Sequence, residues 1–392
     1  MIVTWKLRFL TALLVMFILF IILAVAEFIA STMEGESRSN FTHDDHPRLG
    51  WVPHTGKSLT INPEFQTTQS INSLNMNDRP ISDVDSNFKH RILVLGDSHT
   101  FAAGVSTDDT WPNQMEKLLF PDGTVGTVYN AGVIGYNLGQ YLERFRLLKN
   151  HLNPTLVIIG FSMATDLYDL IPPERGGFIY GGNKERRYFD LSPDGNLITK
   201  QYKTSELGIQ EYNILQKIKN FLQQFALYRR TKRSKLAMWI AANYHPGGEA
   251  LWPGLDTALK IRLSEEDAYR WKLAEALMKQ LVDEASEQEI SVLIVNIPYL
   301  AQVYDEVWES SFGTNQEKYD RWIGSKRLES LSGKIGAYYV DTTRDFIEST
   351  RKINRWLHYP QDAHPTIEGH ALIAKVTAHN IRESGFFTYK IR

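Results

Sequence analysis

The sequence predicts an α/β protein built on a doubly wound, mostly parallel sheet, with an N-terminal transmembrane helix and a helical insertion. Three observations carry that prediction. Short, continuous apolar runs recur at Ile92–Leu95, Thr155–Gly160 and Ser291–Ile297, and each ends at a turn signal, as parallel strands buried on both faces do. Helical patterns separate the runs. And the 18 residues from Phe9 to Ala26 hold no charge and a single polar side chain, Thr11.

That first run is just long enough to cross a bilayer as a helix. Lys6 and Arg8 precede it, while Glu27, Glu34 and Glu36 follow, so the positive-inside rule places the N-terminus in the cytoplasm and the rest of the chain outside. Ala24-Val-Ala26 has the small-x-small spacing of a signal-peptide cleavage site. The apolar run exceeds a usual signal core, so residues 1–30 are read as a retained anchor and the catalytic part as extracytoplasmic. Residues 31–85 form a polar, loop-rich lead-in expected to add at most an edge strand.

The chain has 392 residues, a formal net charge of −2, 43% hydrophobic residues and 12% aromatic ones. This is ample for a folded core, and the balanced charge gives no reason to expect a nucleic-acid partner. Without cysteine, disulfides and thiol catalysis are excluded. No His/Cys spacing suits a metal and no glycine-rich phosphate loop occurs, so neither metal nor organic cofactor is expected.

The strand at Ile92–Leu95 stops at Gly96-Asp97-Ser98, where a glycine permits a sharp turn. Ser98 thus falls at the C-terminal edge of a sheet, where ligands collect in open α/β folds. It can serve as a nucleophile there, or merely cap the following helix. Pro112 fits the first turn of a helix running to Leu119. Thr127–Tyr129 is a short strand ending in Asn130-Ala-Gly132-Val-Ile-Gly135, and a helix spans Leu138–Lys149. The strand Thr155–Gly160 leads to Phe161-Ser-Met-Ala-Thr165-Asp166.

Residues 171–286 interrupt this alternation and are read as a helical and loop insertion. Pro172–Tyr202, rich in Gly, Pro, Asp and Asn, is expected to be loops. Ile214, Leu215, Ile218, Phe221, Leu222, Phe225 and Ala226 recur at helical spacing, and a basic run, Arg229–Lys235, follows. A long helix, Glu265–Glu287, feeds the strand Ser291–Ile297. A further strand at Tyr338–Val340 ends at Asp341. The closing block reads Asp362-Ala-His364-Pro365-Thr-Ile-Glu-Gly-His370, and an amphipathic helix spans Ile367–Ile381.

Gly96-Asp97-Ser98, Asn130-x-Gly132-x-x-Gly135 and the tail Asp362-x-His364, in that order, resemble the blocks of the SGNH/GDSL hydrolase superfamily. The resemblance covers roughly residues 86–170 and 287–385, within a core of 86–170 and 287–392. Gly-Trp at Gly50-Trp51 and Asn-Ser at Asn72-Ser73 are similar to segments before the Gly-Asp-Ser block in membrane-anchored members. The resemblance implies a flavodoxin-like sheet and acyl transfer from an O-acyl ester, O-acetyl on carbohydrate in first place. Ser98 would attack, His364 would take its proton and Asp362 would orient the imidazole. The amides of Ser98 and Gly135 would bind the oxyanion. The family's third block carries Asn before Asp, where this chain has Thr165, so Thr165 is the third expected oxyanion donor, with Ser162 and Asn137 left open as alternatives. The Asp-x-His spacing resembles alginate O-acetyltransferase relatives and keeps a transferase on an exported polysaccharide as an alternative. The Thr165 departure keeps a weakly active scaffold member as another. His370 is expected to be structural, its ring hydrogen-bonded within the last helix.

Overall fold

The structure is a computed structural model that describes residues 2–34, 37–82, 87–123, 125–170, 186–202, 225, 253–313 and 317–386. It begins with one helix, α1 (Ile2–Glu34), whose stretch Arg8–Ser31, 24 residues, is long and apolar enough to cross a membrane. Its large apolar side chains from Phe9 to Ile29 are exposed.

The lead-in differs from the expected edge strand. It folds into two small antiparallel sheets of its own, made by β1 (Arg38–Ser39), β4 (Gly56–Asn62) and β5 (Phe65–Ile71), and by β2 (His43–His46) with β3 (Gly50–Pro53). Tight turns let such strands pair locally before any longer-range partner is needed. The apolar members then bury against the core: Trp51 and Met76 are fully enclosed. The Trp51 indole N–H donates to the Ile134 carbonyl at 3.2 Å, and the buried Arg144 guanidinium spans the Ala131, Leu74 and Asn75 carbonyls at 3.2, 3.1 and 2.8 Å. Those bonds satisfy loop carbonyls that burial would otherwise leave unpaired.

The main sheet contains β6 (His90–Gly96), β7 (Gly126–Asn130), β8 (Leu156–Ser162), β11 (Ser291–Ile297) and β12 (Tyr338–Asp341). Their order is β7-β6-β8-β11-β12 and every pairing is parallel, the doubly wound order with its switch point between β6 and β8. The expected α/β class and doubly wound parallel sheet are therefore what the chain adopts. Helices α2 (Ser98–Phe101), α3 (Trp111–Leu119) and α4 (Leu138–Leu152) connect the first strands. After α5 (Pro253–Leu259), α6 (Glu265–Ser286) packs on α4 and β11. Four further helices follow: α7 (Leu300–Val303), α8 (Asp305–Phe312), α9 (Ile323–Ile335) and α10 (Thr343–Ile353). The last is α11 (Ile367–Glu383), lying along α3. β6, β8 and β11 are buried on both faces, which is why they read as unbroken apolar runs.

One expected loop region is ordered differently. Within Pro172–Tyr202, β9 (Arg186–Leu191) and β10 (Leu197–Tyr202) form an antiparallel hairpin. Asp194-Gly195 makes its turn, with Gly195 at φ +81°. That dipeptide between alternating residues is a hairpin signal, obscured by the surrounding Gly and Asn. The helical pattern at 214–226 (Phe225 excepted) and the basic run at 229–235 lie outside the described residues.

Candidate active site

Ser98 stands one residue past the turn that ends β6. Asp97 is the N-cap of α2, its Oδ1 accepting the His99 amide at 2.8 Å. Ser98 is therefore the first helical residue and not the cap, which leaves its hydroxyl available. Close packing brings this short helix onto the sheet edge. A Cβ on Gly96 would lie 2.0 Å from Thr100 Oγ1, on Gly160 2.2 Å from the same atom, and on Gly132 2.4 Å from the Phe101 nitrogen. Only glycine at these three places lets α2 sit so close to the ends of β6 and β8.

The far end of the chain supplies the rest. The loop from Tyr359 to His364 is closed by the Tyr359 amide donating to the His364 carbonyl at 2.9 Å and the Ala363 amide to the Tyr359 carbonyl at 2.8 Å. Ala363 adopts φ +72°, and this bend makes Asp362 and His364, two apart in sequence, converge. The Ser98 hydroxyl donates to His364 Nε2 at 2.8 Å, and His364 Nδ1–H donates to Asp362 Oδ1 at 2.5 Å. Ser98, His364 and Asp362 thus form one continuous hydrogen-bonded chain.

Its electrostatics suit proton transfer. Burial works against a charged Asp362, but the hydrogen bond and positive charge of His364 outweigh it and hold the carboxyl below its ordinary value. Burial likewise disfavours protonated His364, yet the Asp362 bond and charge, helped by Asp97, raise its pKa above 6.5. The imidazole is a base that readily accepts and keeps a proton beside the serine.

Gly135 sits at φ +76° in a turn that only glycine enters without strain. The Val133 amide donates to the Gly96 carbonyl at 3.0 Å and ties that turn to the strand end preceding Ser98. Neither the Ser98 nor the Gly135 amide has a hydrogen-bond partner among the described residues. Two unspent N–H groups near a hydroxyl–imidazole pair are the elements an oxyanion needs.

Thr165 is placed differently from expectation. Its hydroxyl donates to Asp97 Oδ2 at 2.6 Å, and a hydroxyl has one proton, so in this arrangement none is left for an oxyanion. The Asp97 carboxylate also faces the His99 ring at 3.3 Å. Burial raises its pKa, but the His99 charge and the bonds from His99 and Thr165 prevail, so it stays ionised below the ordinary value. Asn137 is spent as well: its carbonyl caps α4 and its amide donates to the Asp169 carbonyl at 2.9 Å. Ser162 Oγ is buried without a partner among the described residues. His370 is buried too, but neither ring nitrogen is hydrogen-bonded to a described residue, contrary to expectation; burial keeps it neutral, pulling its pKa well down.

Sequence reasoning passed over His99, whose ring centroid lies 4.9 Å from that of His364. Its position next to Ser98 was the available signal. It also passed over Glu64, which reaches the triad loop from the lead-in. Among the described residues no group of three or more His, Asp or Glu is arranged to hold a metal ion.

No family model and no curated protein matches the chain. Among solved structures it is similar to TesA, with 12% identity and a TM-score of 0.38 over 75% of this chain and 99% of that one. It is also similar to the esterase EstA from Pseudoalteromonas sp., with 12% identity and a TM-score of 0.37 over 76% and 98%. A catalytic mutant of Axe2, an acetylxylan esterase from Geobacillus stearothermophilus, gives 12% identity and a TM-score of 0.37 over 78% and 98%.

Proposed function

We propose that this chain is a serine ester hydrolase of the SGNH/GDSL type, held in a membrane by α1 with its α/β domain on the extracytoplasmic side. The observation that carries the reading is the hydrogen-bonded chain Ser98–His364–Asp362 at the C-terminal edge of the sheet. Ser98 Oγ attacks an ester carbonyl while His364 Nε2 takes its proton, and Asp362 stabilises the imidazolium. The tetrahedral oxyanion is received by the Ser98 and Gly135 amides. The imidazolium returns the proton to the departing alcohol, and water, activated by the same imidazole, releases the acyl group. The substrate we infer is an O-acyl, foremost O-acetyl, group on carbohydrate, on the strength of the block resemblance. The Asp362-Ala363-His364 spacing favours one second reading, transfer of the acyl group to a sugar hydroxyl instead of water. A non-catalytic scaffold is the poorer reading, since it gives no reason for the assembled triad.

The test is hydrolysis of p-nitrophenyl acetate by the full chain in detergent, beside the same chain carrying Ser98→Ala. Activity and fluorophosphonate labelling should both disappear in the variant, a loss of about 10⁶-fold in rate. Equal behaviour of the two proteins would overturn the nucleophile assignment.

A further inference from the structure

We propose that Glu64 is a positioning residue for the triad, which makes the β4–β5 hairpin part of the catalytic apparatus and not a spacer between α1 and the sheet. The inference rests on the hydrolase reading above. Its basis is a set of contacts between segments almost 300 positions apart. In the turn joining β4 to β5, Asn62 Oδ1 accepts the amides of Glu64 at 2.7 Å and Phe65 at 3.1 Å. Such an Asx turn fixes the local backbone. The Glu64 side chain reaches the loop that carries the triad acid. Its two oxygens accept the Gln361 amide at 3.0 and 3.1 Å, and Oε2 accepts the Asp362 amide at 2.7 Å.

Neighbouring contacts complete the grip. Phe65 lies against Tyr359 with ring centroids 5.0 Å apart, and the Tyr359 hydroxyl donates to the Gly104 carbonyl at 3.0 Å. The loop is thus held by its own closing bonds, by the segment after α2, and by the hairpin tip. The bond it must aim, Asp362 to His364, is only 2.5 Å long and tolerates little backbone drift. A misplacement of about 1 Å in such a constellation can cost about 100-fold in rate. A carboxylate suits the task because it presents two acceptor oxygens to two N–H groups, where glutamine presents one. His99 acts electrostatically on Asp362 and Asp97 on His364, and the titratable groups that feel the pair are Tyr299 and Tyr359 beside Asp362 and His358 and His370 beside His364.

The experiment compares Glu64→Ala and Glu64→Gln with the wild-type full chain in detergent, using p-nitrophenyl acetate and a histidine NMR titration. Glu64→Ala should lower kcat by about 10- to 100-fold with KM within about twofold, and Glu64→Gln should fall between it and wild type. The acid limb of kcat/KM, and the His364 titration with it, should move to lower pH, because a displaced Asp362 supports the imidazolium less. A rate loss that follows melting temperature with both titrations unchanged would reduce Glu64 to a structural contact and overturn the proposal. So would wild-type kcat in both variants. A wild-type chain without Ser98-dependent turnover would sink the hydrolase reading instead. The NMR titration would still decide this one, an unmoved His364 refuting it. If the alanine variant does not fold, Glu64→Gln alone decides by the same criteria.

Discussion

Thr165→Val separates two roles for one hydroxyl. The structure gives its proton to Asp97 Oδ2 at 2.6 Å, inside the fold. Valine keeps the shape and removes only the donor. Asp97 Oδ1 keeps the His99 amide at 2.8 Å, but Oδ2 is left facing the His99 ring at 3.3 Å. A hydrogen bond to a charged group contributes about 1.5–3 kcal/mol net, so the variant should lose about 2 kcal/mol of stability. At about 2–4 °C per kcal/mol for a large domain, that is a fall of roughly 4–8 °C in melting temperature. The loss should depend on pH. The pKa of Asp97 is depressed in the fold, so its contribution is present above the ordinary carboxylate value and disappears as pH falls through the folded value. The gap between variant and wild type should therefore close in acid. Turnover should change by less than about tenfold, since the proposed mechanism gives the oxyanion to the Ser98 and Gly135 backbone amides and not to Thr165. Removal of a true oxyanion donor costs about 10²–10³ in kcat. Thermal unfolding across a pH series, beside kcat on p-nitrophenyl acetate, reads both quantities. A hundredfold loss of kcat with an unchanged melting temperature would refute the structural assignment and return Thr165 to the oxyanion.

Three further outcomes are expected. Asp362→Asn should lower kcat by about 10⁴. Asp362 raises the His364 pKa, so wild-type kcat/KM should fall as pH drops through a value above 6.5, and that limb should move to lower pH in the variant; a pH–rate series measures both. Gly160→Ala puts a methyl 2.2 Å from Thr100 Oγ1 and should cost about 1–3 kcal/mol in unfolding experiments, part of it recovered by adding Thr100→Ala. If α1 is a retained anchor, alkaline extraction of membranes should leave the full chain in the pellet, whereas a chain cleaved after Ala26 should appear in the supernatant.

The parallel sheet was legible because β6, β8 and β11 are buried on both faces and cannot alternate. That Ser98, His364 and Asp362 would come together was legible because they lie in short blocks of recognisable residue type and order, and the structure joins them by hydrogen bonds. What escaped was decided by distant partners. Whether Thr165 aims at substrate or at Asp97 depends on where the β6 turn sets that carboxylate, which no local pattern encodes. The His370 ring depends in the same way on what surrounds α11. The polar lead-in hid how deeply it packs: Trp51 and Met76 are fully buried, yet Trp51 sits on a four-residue strand and Met76 on the turn segment after β5, too short for any periodic pattern to show. Helices α9 and α10 escaped for a related reason: only one narrow stripe of each is buried, Leu328, Leu331 and Ile335 on the first, Phe346 and Ile347 on the second.

The bond from Ser98 to His364 closes a loop of 266 positions. Closing so long a loop costs about 5 kcal/mol in chain entropy, a debt met only when the intervening strands have paired and α11 has settled along α3. During synthesis the serine therefore emerges long before its base. A nascent or truncated chain stopping anywhere between the two carries a Gly-Asp-Ser turn without His364, the base of the proposed mechanism. On the proposed reading, topology then does the work that a removable propeptide does elsewhere: a chain still being made would be inert toward esters, and activity would begin when the last block docks.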